Sequence, residues 1–160
     1  MEGKDLFRHI RSNQGAHNVR AHLAEMISLL GPPPKILLDR EKWWSKVKWS
    51  HAIPNLEGKL CQTACDYYGG PFFNLEGKLP QGCQANVLHL QIKQNANPST
   101  SGEFMYKNLI PSNVRLEDLV LSLEGEDKRL FLNFVRKMLQ WLPEDRKTAK
   151  ELLEDPWLVQ

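Results

Sequence analysis

The strongest constraint on the fold is a two-faced segment in the last third of the chain. Its large apolar residues recur at the i, i+3, i+4, i+7 and i+8 positions of a helix. These residues are Phe131, Phe134, Val135, Met138 and Leu139. Because this spacing places them on one face, we predict an amphipathic helix that begins near Glu124 and continues to Trp141, with the apolar face buried. A chain with such a helix needs a second apolar surface to cover it.

Helix-ending and helix-starting residues follow this segment directly. Pro143 cannot continue a helix and is predicted to stop the first one. Thr148 and Glu151 stand at the spacing of a capping box, which predicts the start of a second helix. The Asp-Pro pair at residues 155–156 is predicted to close that second helix. Arg146 falls in the tight connection between the two helices, where a buried guanidinium would need a carboxylate.

A second apolar stripe with helical spacing lies near the start of the chain. It consists of Val19, Leu23, Met26, Ile27 and Leu30. Gly31 is predicted to end this helix, and the three prolines at residues 32–34 prevent it from continuing. Two amphipathic helices and one capped helix predict a mainly α fold.

Several motifs in these helices resemble those of protein kinases. W-L-P-E-D-R at 141–146, T-A-K-E-L-L at 148–153 and D-P-W-L at 155–158 are similar to the closing segment of eukaryotic protein kinase C-lobes. H-L-A-E-M-I-S-L-L-G-P-P-P at 22–34 resembles the helix and exit turn before the insert of the CMGC kinase group. With L-E-G-E-D-K at 123–128, they resemble the serine/arginine protein kinases, in particular their fungal-type branch. The resemblance implies an incomplete kinase-like C-lobe, made of late helices plus an insert, with a long irregular loop.

The resemblance also implies structural roles for Arg146, Trp141, Pro143 and Trp157. In the family, the arginine that matches Arg146 pairs with the glutamate of an Ala-Pro-Glu motif, and that motif is absent from this sequence. We therefore expect Arg146 to be a buried charge without its usual partner, at a cost of about 3 to 5 kcal/mol. On this basis we predict a marginally stable protein that is either a monomer or prone to aggregate.

The motifs that a kinase uses for catalysis are absent from these 160 residues. A kinase needs a glycine-rich loop, a strand lysine, a His-Arg-Asp loop and an Asp-Phe-Gly metal site. We therefore predict no catalytic, cofactor-binding or metal-binding residues in this chain, although the family that it resembles uses ATP and magnesium. We expect a non-catalytic, C-terminal fragment of a serine/threonine kinase that begins within the C-lobe. The parent activity would be ATP-dependent phosphorylation of Arg-Ser-rich proteins.

We divide the chain into three segments. Residues 1–77 are predicted to form part of the C-lobe with its insert, and residues 103–160 to form its closing helices. Residues 78–102 are rich in glutamine and asparagine and contain no acidic residue, a composition typical of a loop without a core of its own. We interpret this middle segment as a disordered insertion, with translated intron sequence as the hypothesis for its origin.

A basic, tryptophan-rich stretch at residues 40–49 suggests two further functions. Three tryptophans interleaved with basic residues are typical of a stacking surface for single-stranded nucleic acid, and also of an interfacial membrane segment. The net charge of only +2 argues against a general polyanion binder. We favour a third interpretation, in which Trp43, Trp44 and Val47 lie at helical spacing and anchor the insert to the lobe.

The remaining features suggest a soluble protein of the cytoplasm or nucleus. Cys61 and Cys65 have no histidine at zinc-finger spacing, and an odd number of cysteines without a secretory signal favours reduced thiols. No signal peptide and no apolar run of membrane-spanning length occurs in the sequence, so we expect no membrane association. Two alternatives stay open. One is a non-catalytic interaction module that binds Arg-Ser-rich substrates or kinase regulators, and the other, less favoured, is an RNA-binding segment that uses the tryptophan-rich and lysine-rich stretch.

Overall fold

The chain folds into two compact units. The first consists of residues 1–33 and 107–160, and the second of residues 34–106. The computed structural model describes residues 6–7, 10–11, 15, 17–44, 47–74, 102–112 and 114–159, without the side chains of residues 42–44. Nearly all of the insertion predicted over residues 78–102 therefore lies outside the described residues, and the three-segment division stays a prediction.

Helices dominate the described part of the chain. In chain order the α-helices are α1 (Val19–Leu30), α2 (Lys35–Trp44), α3 (Ala64–Tyr67), α4 (Gly125–Met138) and α5 (Ala149–Leu152). Short 3-10 helices span Lys107–Leu109, Leu116–Leu119 and Pro143–Asp145. Strands β1 (Ile53–Pro54) and β2 (Leu60–Cys61) form an antiparallel hairpin, in which Ile53 faces Cys61 and Pro54 faces Leu60. The predicted mainly α fold is confirmed.

The core of the first unit forms where α4 packs on the 3-10 helix Leu116–Leu119. Its buried residues are Leu116, Val120, Leu132 and Val135. Partly buried apolar residues surround them, namely Leu6, Leu123, Phe131, Phe134, Met138 and Leu139. The second apolar surface that α4 requires therefore comes from the segment just before it. The centre of the buried face is shifted toward Leu132, which was not part of the predicted stripe.

Helix α4 ends earlier than predicted. It stops at Met138 and not at Trp141, because Leu139 leaves the helical region with φ −88° and ψ 81°. Pro143 is consequently not the residue that ends α4. It occupies the first turn of the 3-10 helix Pro143–Asp145, where its fixed φ is favourable and its missing N–H costs no bond.

Helix α1 has the predicted bounds but a different buried face. The carboxamide of Asn18 caps it, since Oδ1 accepts bonds from the backbone N–H groups of Arg20 (3.1 Å) and Ala21 (3.2 Å). Gly31 ends it with a φ of 76°, as predicted. Its buried residues are Ala21, Ala24 and Glu25. The predicted stripe of Val19, Leu23, Met26, Ile27 and Leu30 is only partly buried.

A neighbouring segment accounts for this shift in the buried face of α1. The helix packs against the 3-10 helix Lys107–Leu109, far away in sequence. Alanine side chains occupy little volume, so the buried face of α1 lets other segments approach the helix closely. The hydrophobic stripe of α1 therefore identified the helix correctly but not its most buried residues.

The second unit is built around aromatic side chains. Trp49 contacts Tyr67 with ring centroids 5.9 Å apart, and Phe73 contacts Phe104 at 5.5 Å, both at steeply inclined angles that favour aromatic pairs. Phe73 and Phe104 are buried. Cys61 is a buried free thiol, whereas Cys65 is disulfide-bonded. The expectation of reduced thiols is therefore wrong at Cys65.

The predicted tryptophan anchor differs from the structure in one respect. Helix α2 ends at Trp44, so Val47 lies beyond the helix and does not share a helical face with Trp43 and Trp44. The side chains of these two tryptophans lie outside the described residues, and their anchoring role stays a prediction. Trp49, the third tryptophan of this stretch, packs against Tyr67.

Candidate functional site

The four residues predicted to be structural lie in one segment, residues 137–157, which we call the C-terminal clamp. It contains the end of α4, the connection with its 3-10 helix, and α5 with the residues that follow it. Trp141, Pro143, Arg146 and Trp157 all belong to it. Their contacts explain how the connection holds its shape.

The C-terminal clamp supplies hydrogen-bond donors to the last carbonyl groups of α4. The last four carbonyl groups of a helix have no partner within the helix and need one elsewhere. In α4 each of them accepts a hydrogen bond from a residue that follows the helix. The bonds are Leu139 N to Val135 O (2.9 Å), Gln140 Nε2 to Arg136 O (2.8 Å), Lys147 N to Lys137 O (3.0 Å) and Gln140 N to Met138 O (3.2 Å). The connection therefore completes the last turn of α4.

Arg146 is part of this arrangement, but in a different way from the one predicted. Its side chain is exposed, and Nε donates to the backbone carbonyl of Gln140 at 3.0 Å. The expectation of a buried, unpaired guanidinium is wrong, and the energetic cost attached to it does not apply. A cation beside the C-terminal end of a helix is instead favourable, because it faces the negative end of the helix dipole.

Asp155 is the most buried charged group of the clamp, and the sequence interpretation missed its role. The residue is 3% exposed. Oδ2 accepts a bond from Nζ of Lys137 at 2.6 Å, and Oδ1 accepts one from the backbone N–H of Trp157 at 2.9 Å. Lys137, followed by the Trp157 N–H, holds the pKa of Asp155 below its usual range. Oδ2 thus links the end of the clamp to α4, and Oδ1 holds the backbone of the clamp at Trp157.

The two tryptophans of the clamp make one polar and one aromatic contact. Nε1 of Trp141 donates to the carbonyl of Gly31 at 3.1 Å, which joins the clamp to the end of α1. The ring of Trp157 meets Phe131 of α4 edge to face, with centroids 5.2 Å apart and an interplanar angle of 66°. Indole N–H groups that are partly buried normally have a partner, and Trp141 follows that rule.

Helix α5 begins with the predicted capping box, which is confirmed. Oγ1 of Thr148 accepts from the Glu151 N–H at 3.3 Å, and the Glu151 carboxylate accepts from the Thr148 N–H at 2.8 Å. A bond from Nζ of Lys147, followed by those from Thr148, lowers the pKa of Glu151 to about 2. The helix ends at Leu152, three residues before the predicted end at Asp155.

One carboxyl group of the second unit has a raised pKa, in contrast to the lowered pKa values of Asp155 and Glu151. Burial raises the pKa of Glu41 in α2 to about 7, although a hydrogen bond with the backbone of Phe72 opposes the shift. No sequence pattern predicts this shift, because a glutamate with a basic residue on each side is typical of an exposed helix face. Glu41 therefore changes charge near neutral pH.

The geometry of the clamp indicates a structural role for its carboxylates. Asp155 and Glu151 are held in pairs with lysines and backbone N–H groups, which makes them anchors and poor proton acceptors. Within the described ranges, no group of three or more His, Cys, Asp or Glu side chains is placed to hold a metal ion. The described helices also include none with the length and apolar character needed to cross a bilayer.

Comparison with known proteins relates the chain to the serine/threonine protein kinases. Two serine/threonine protein kinases from two strains of Aspergillus fumigatus are 32% identical to it over 154 residues, covering 93% of this chain and 25% of each kinase. The dual specificity tyrosine-phosphorylation-regulated kinase 3 of Rattus norvegicus is 27% identical over 136 residues, covering 85% of this chain and 18% of that protein.

The chain matches only part of each of these relatives. The chain spans about a quarter of the length of the two fungal kinases that it matches. No protein-family model and no solved structure matches it. The resemblance is thus confirmed at the level of serine/threonine protein kinases, for a stretch that corresponds to part of such a protein.

Proposed function

We propose that this chain is the closing part of the C-lobe of a serine/arginine-type protein kinase, and that it supplies structure and not catalysis. The observation that carries the proposal is the similarity to serine/threonine kinases along 93% of the chain. In this role the clamp fixes the last helices of the lobe to each other. Kinase activity, with ATP and magnesium, is proposed only for a protein that also carries the nucleotide-binding and catalytic motifs.

Two features support a non-catalytic role for these 160 residues. The glycine-rich, His-Arg-Asp and Asp-Phe-Gly motifs are not in the sequence. The carboxylates of Asp155 and Glu151 have lowered pKa values and are held by lysines, so they are poor general bases. Phosphoryl transfer depends on positioned metal ions and charge-stabilising groups, which these features do not supply.

We also propose Arg-Ser-rich proteins or kinase regulators as partners, and the cytoplasm or nucleus as the location. Both proposals rest on the motifs at residues 22–34 and 123–128, which resemble the serine/arginine kinases. A basic Arg-Ser peptide would need carboxylates on its docking surface. Its affinity should therefore fall with added salt, as charge-dependent contacts do.

A second candidate function, a protein-interaction module, is favoured by the hairpin of the second unit. Three large apolar residues of this hairpin are exposed, Ile53 by 46%, Leu56 by 85% and Leu60 by 68%. Apolar side chains grouped on one exposed hairpin are typical of a contact surface or of an aggregation-prone site. With Arg146 exposed, this hairpin is also the better physical reason to expect aggregation.

Nucleotide binding and phosphoryl transfer test the first proposal. The purified chain would be melted with and without Mg²⁺ and ATP, and incubated with labelled ATP and an Arg-Ser peptide. We expect no nucleotide-dependent rise in Tm and no labelled peptide, because stabilisation requires a binding site in the folded state. Phosphorylation by the purified chain alone would contradict the proposal.

Peptide titrations separate the two candidates. A fluorescent Arg-Ser peptide would be titrated without ATP, beside an Arg-Ala peptide of equal charge, into the chain and a Leu56→Ser variant. Preference for Arg-Ser in both proteins supports the kinase-type partner. Equal binding of both peptides that is lost in Leu56→Ser supports the interaction module, with Leu121→Ser, at an exposed leucine of the first unit, as the matched control. Tighter, salt-dependent binding of single-stranded RNA would favour the nucleic-acid alternative.

A further inference from the structure

A pair of histidines at the start of α1 lies outside the C-terminal clamp and has no role in the proposed function. Nε2 of His17 and Nδ1 of His22 are 3.2 Å apart, and the two rings stand at 87° to each other. His17 is exposed and precedes α1, whereas His22 is partly buried within its first turns. Phe7 packs on the His22 ring with centroids 4.5 Å apart, which restricts its orientation.

We propose that His17 and His22 form a two-histidine binding site for a divalent transition metal ion such as Zn²⁺ or Cu²⁺. Imidazole nitrogens bind zinc at about 2.0 to 2.1 Å. An ion at that distance from two nitrogens 3.2 Å apart subtends an angle of about 100° between them, which lies between the ideal octahedral and tetrahedral values. Each nitrogen–metal vector would then lie about 40° from the line between the two nitrogens, so both rings must rotate away from their hydrogen-bonded orientation to bind one ion.

The protonation state of the pair is compatible with this role. A metal ion needs a lone pair on each ligating nitrogen, whereas the hydrogen-bonded pair carries one proton between the two nitrogens. On metal binding, that proton moves to the other nitrogen of the same ring, so each ring stays neutral.

The rest of the coordination sphere would be open. The described residues contain no group of three or more metal-binding side chains, so water would fill the remaining positions. Exposure of His17 gives the ion and its water molecules access from solvent. For imidazole ligands the affinity should be higher for Cu²⁺ than for Zn²⁺. A bound ion would tie the residue before α1 to the helix itself and stabilise this end of the first unit.

Metal titrations of the full chain, carrying no affinity tag, test the site. Calorimetry with ZnCl₂ and with CuCl₂ would be run on the wild type, on His17→Gln and on His51→Gln, the last as a matched exposed histidine of the second unit. We expect one ion per chain in the wild type and in His51→Gln, and affinity lower by on the order of tenfold or more in His17→Gln. Because His17 is exposed, its replacement should leave the fold unchanged, which circular dichroism checks.

Two further measurements make the outcome decisive. Zn²⁺ should raise the Tm of the wild type but not that of His17→Gln, because only a folded-state site stabilises. The electron paramagnetic resonance spectrum of bound Cu²⁺ should show two imidazole nitrogens in the wild type and one in His22→Gln. No binding by the wild type, or equal affinity in wild type and His17→Gln, would overturn the proposal.

Discussion

Helices α4 and α1 of the first unit are held in place by different means. Helix α4 buries Leu132 and Val135 against Leu116 and Val120. Helix α1 buries alanines, and polar bonds fix it near both ends: the Asn18 cap at its start, and at its end the bond from Trp141 to Gly31. Helix α4 is thus stabilised mainly by apolar burial and helix α1 by hydrogen bonds.

The energies of these two kinds of contact differ. Full burial of a leucine or valine side chain is worth about 1.5 to 3 kcal/mol. A hydrogen bond contributes a net amount of about 1 kcal/mol, and its main effect is to fix direction. Ser28 shows this second effect, since Oγ lies 3.2 Å from the carbonyl of Pro111 and 3.1 Å from that of Val114. We therefore expect the apolar contacts of α4 to contribute most of the free energy of unfolding. The hydrogen bonds of α1 mainly fix the position of that helix.

The largest expected effect is in α4. Leu132→Ala should lower the free energy of unfolding by about 2 to 5 kcal/mol, because it removes buried methyl groups and leaves a cavity. Urea unfolding followed by circular dichroism measures the change. Leu121→Ala, at a leucine that is 71% exposed, is the control and should change stability by no more than about 0.5 kcal/mol. Equal losses in the two variants would show that α4 is not the centre of the core.

The second-largest effect is a loss of stability at acidic pH, which we expect from the pair that Asp155 of the clamp forms with Lys137 of α4. The pKa of Asp155 is lowered in the folded state, so its contribution to stability is present above its ordinary value of 3.8 and is lost as pH falls below it. Asp155→Asn should lower Tm at pH 7 and reduce the difference in Tm between pH 7 and pH 3. The adjacent Glu154→Gln, at an exposed residue, is the matched control. An unchanged pH dependence in Asp155→Asn would contradict the role of the Lys137 pair.

The third prediction tests the close packing of α1. Ala24 is completely buried, so Ala24→Leu should destabilise the protein by about 1 to 3 kcal/mol through overpacking. Ala149→Leu, the same change at an exposed position of α5, should alter stability by about 0.5 kcal/mol or less. Thermal melts of both variants make the comparison. A stabilised Ala24→Leu variant would mean that α1 has room for the larger side chain.

The smallest effect is expected at the bond from Trp141 to Gly31. Trp141→Phe keeps an aromatic ring but removes the N–H donor, and should cost about 0.5 to 1.5 kcal/mol. Hydrogen exchange should become faster in the last turn of α1, while the middle of α4 keeps its protection. Exchange that rises equally in both helices would point to a loss of general packing and not of one bond.

The sequence predicted the features that depend on neighbouring residues. The apolar period identified α4, Gly31 marked the end of α1, and the spacing of Thr148 and Glu151 identified the capping box. Each of these signals is contained within a few residues, so local physical chemistry decides them. The kinase resemblance likewise depended on short motifs with fixed spacing.

The features that the sequence missed depend on residues far apart in the chain. Helix α1 packs against residues 107–109, which are far away in the chain, and its buried alanines give a weak apolar signal. Lys137 and Asp155 are 18 positions apart and do not belong to the same helix, so no local pattern links them. Arg146 was assigned to the interior from its place in a tight connection and from the kinase resemblance, whereas its side chain is exposed and donates to the carbonyl of Gln140.

The order of synthesis gives the end of α4 a further consequence. Its carbonyl at residue 137 accepts a bond from the backbone N–H of Lys147, which a ribosome adds ten positions later. A nascent chain that has emerged only to residue 140 has the helix but not this bond of its final turn. The turn can therefore be completed only after residue 147 has emerged, so a nascent chain held with residues 141–147 still inside the ribosome would have a last turn that is prone to fray.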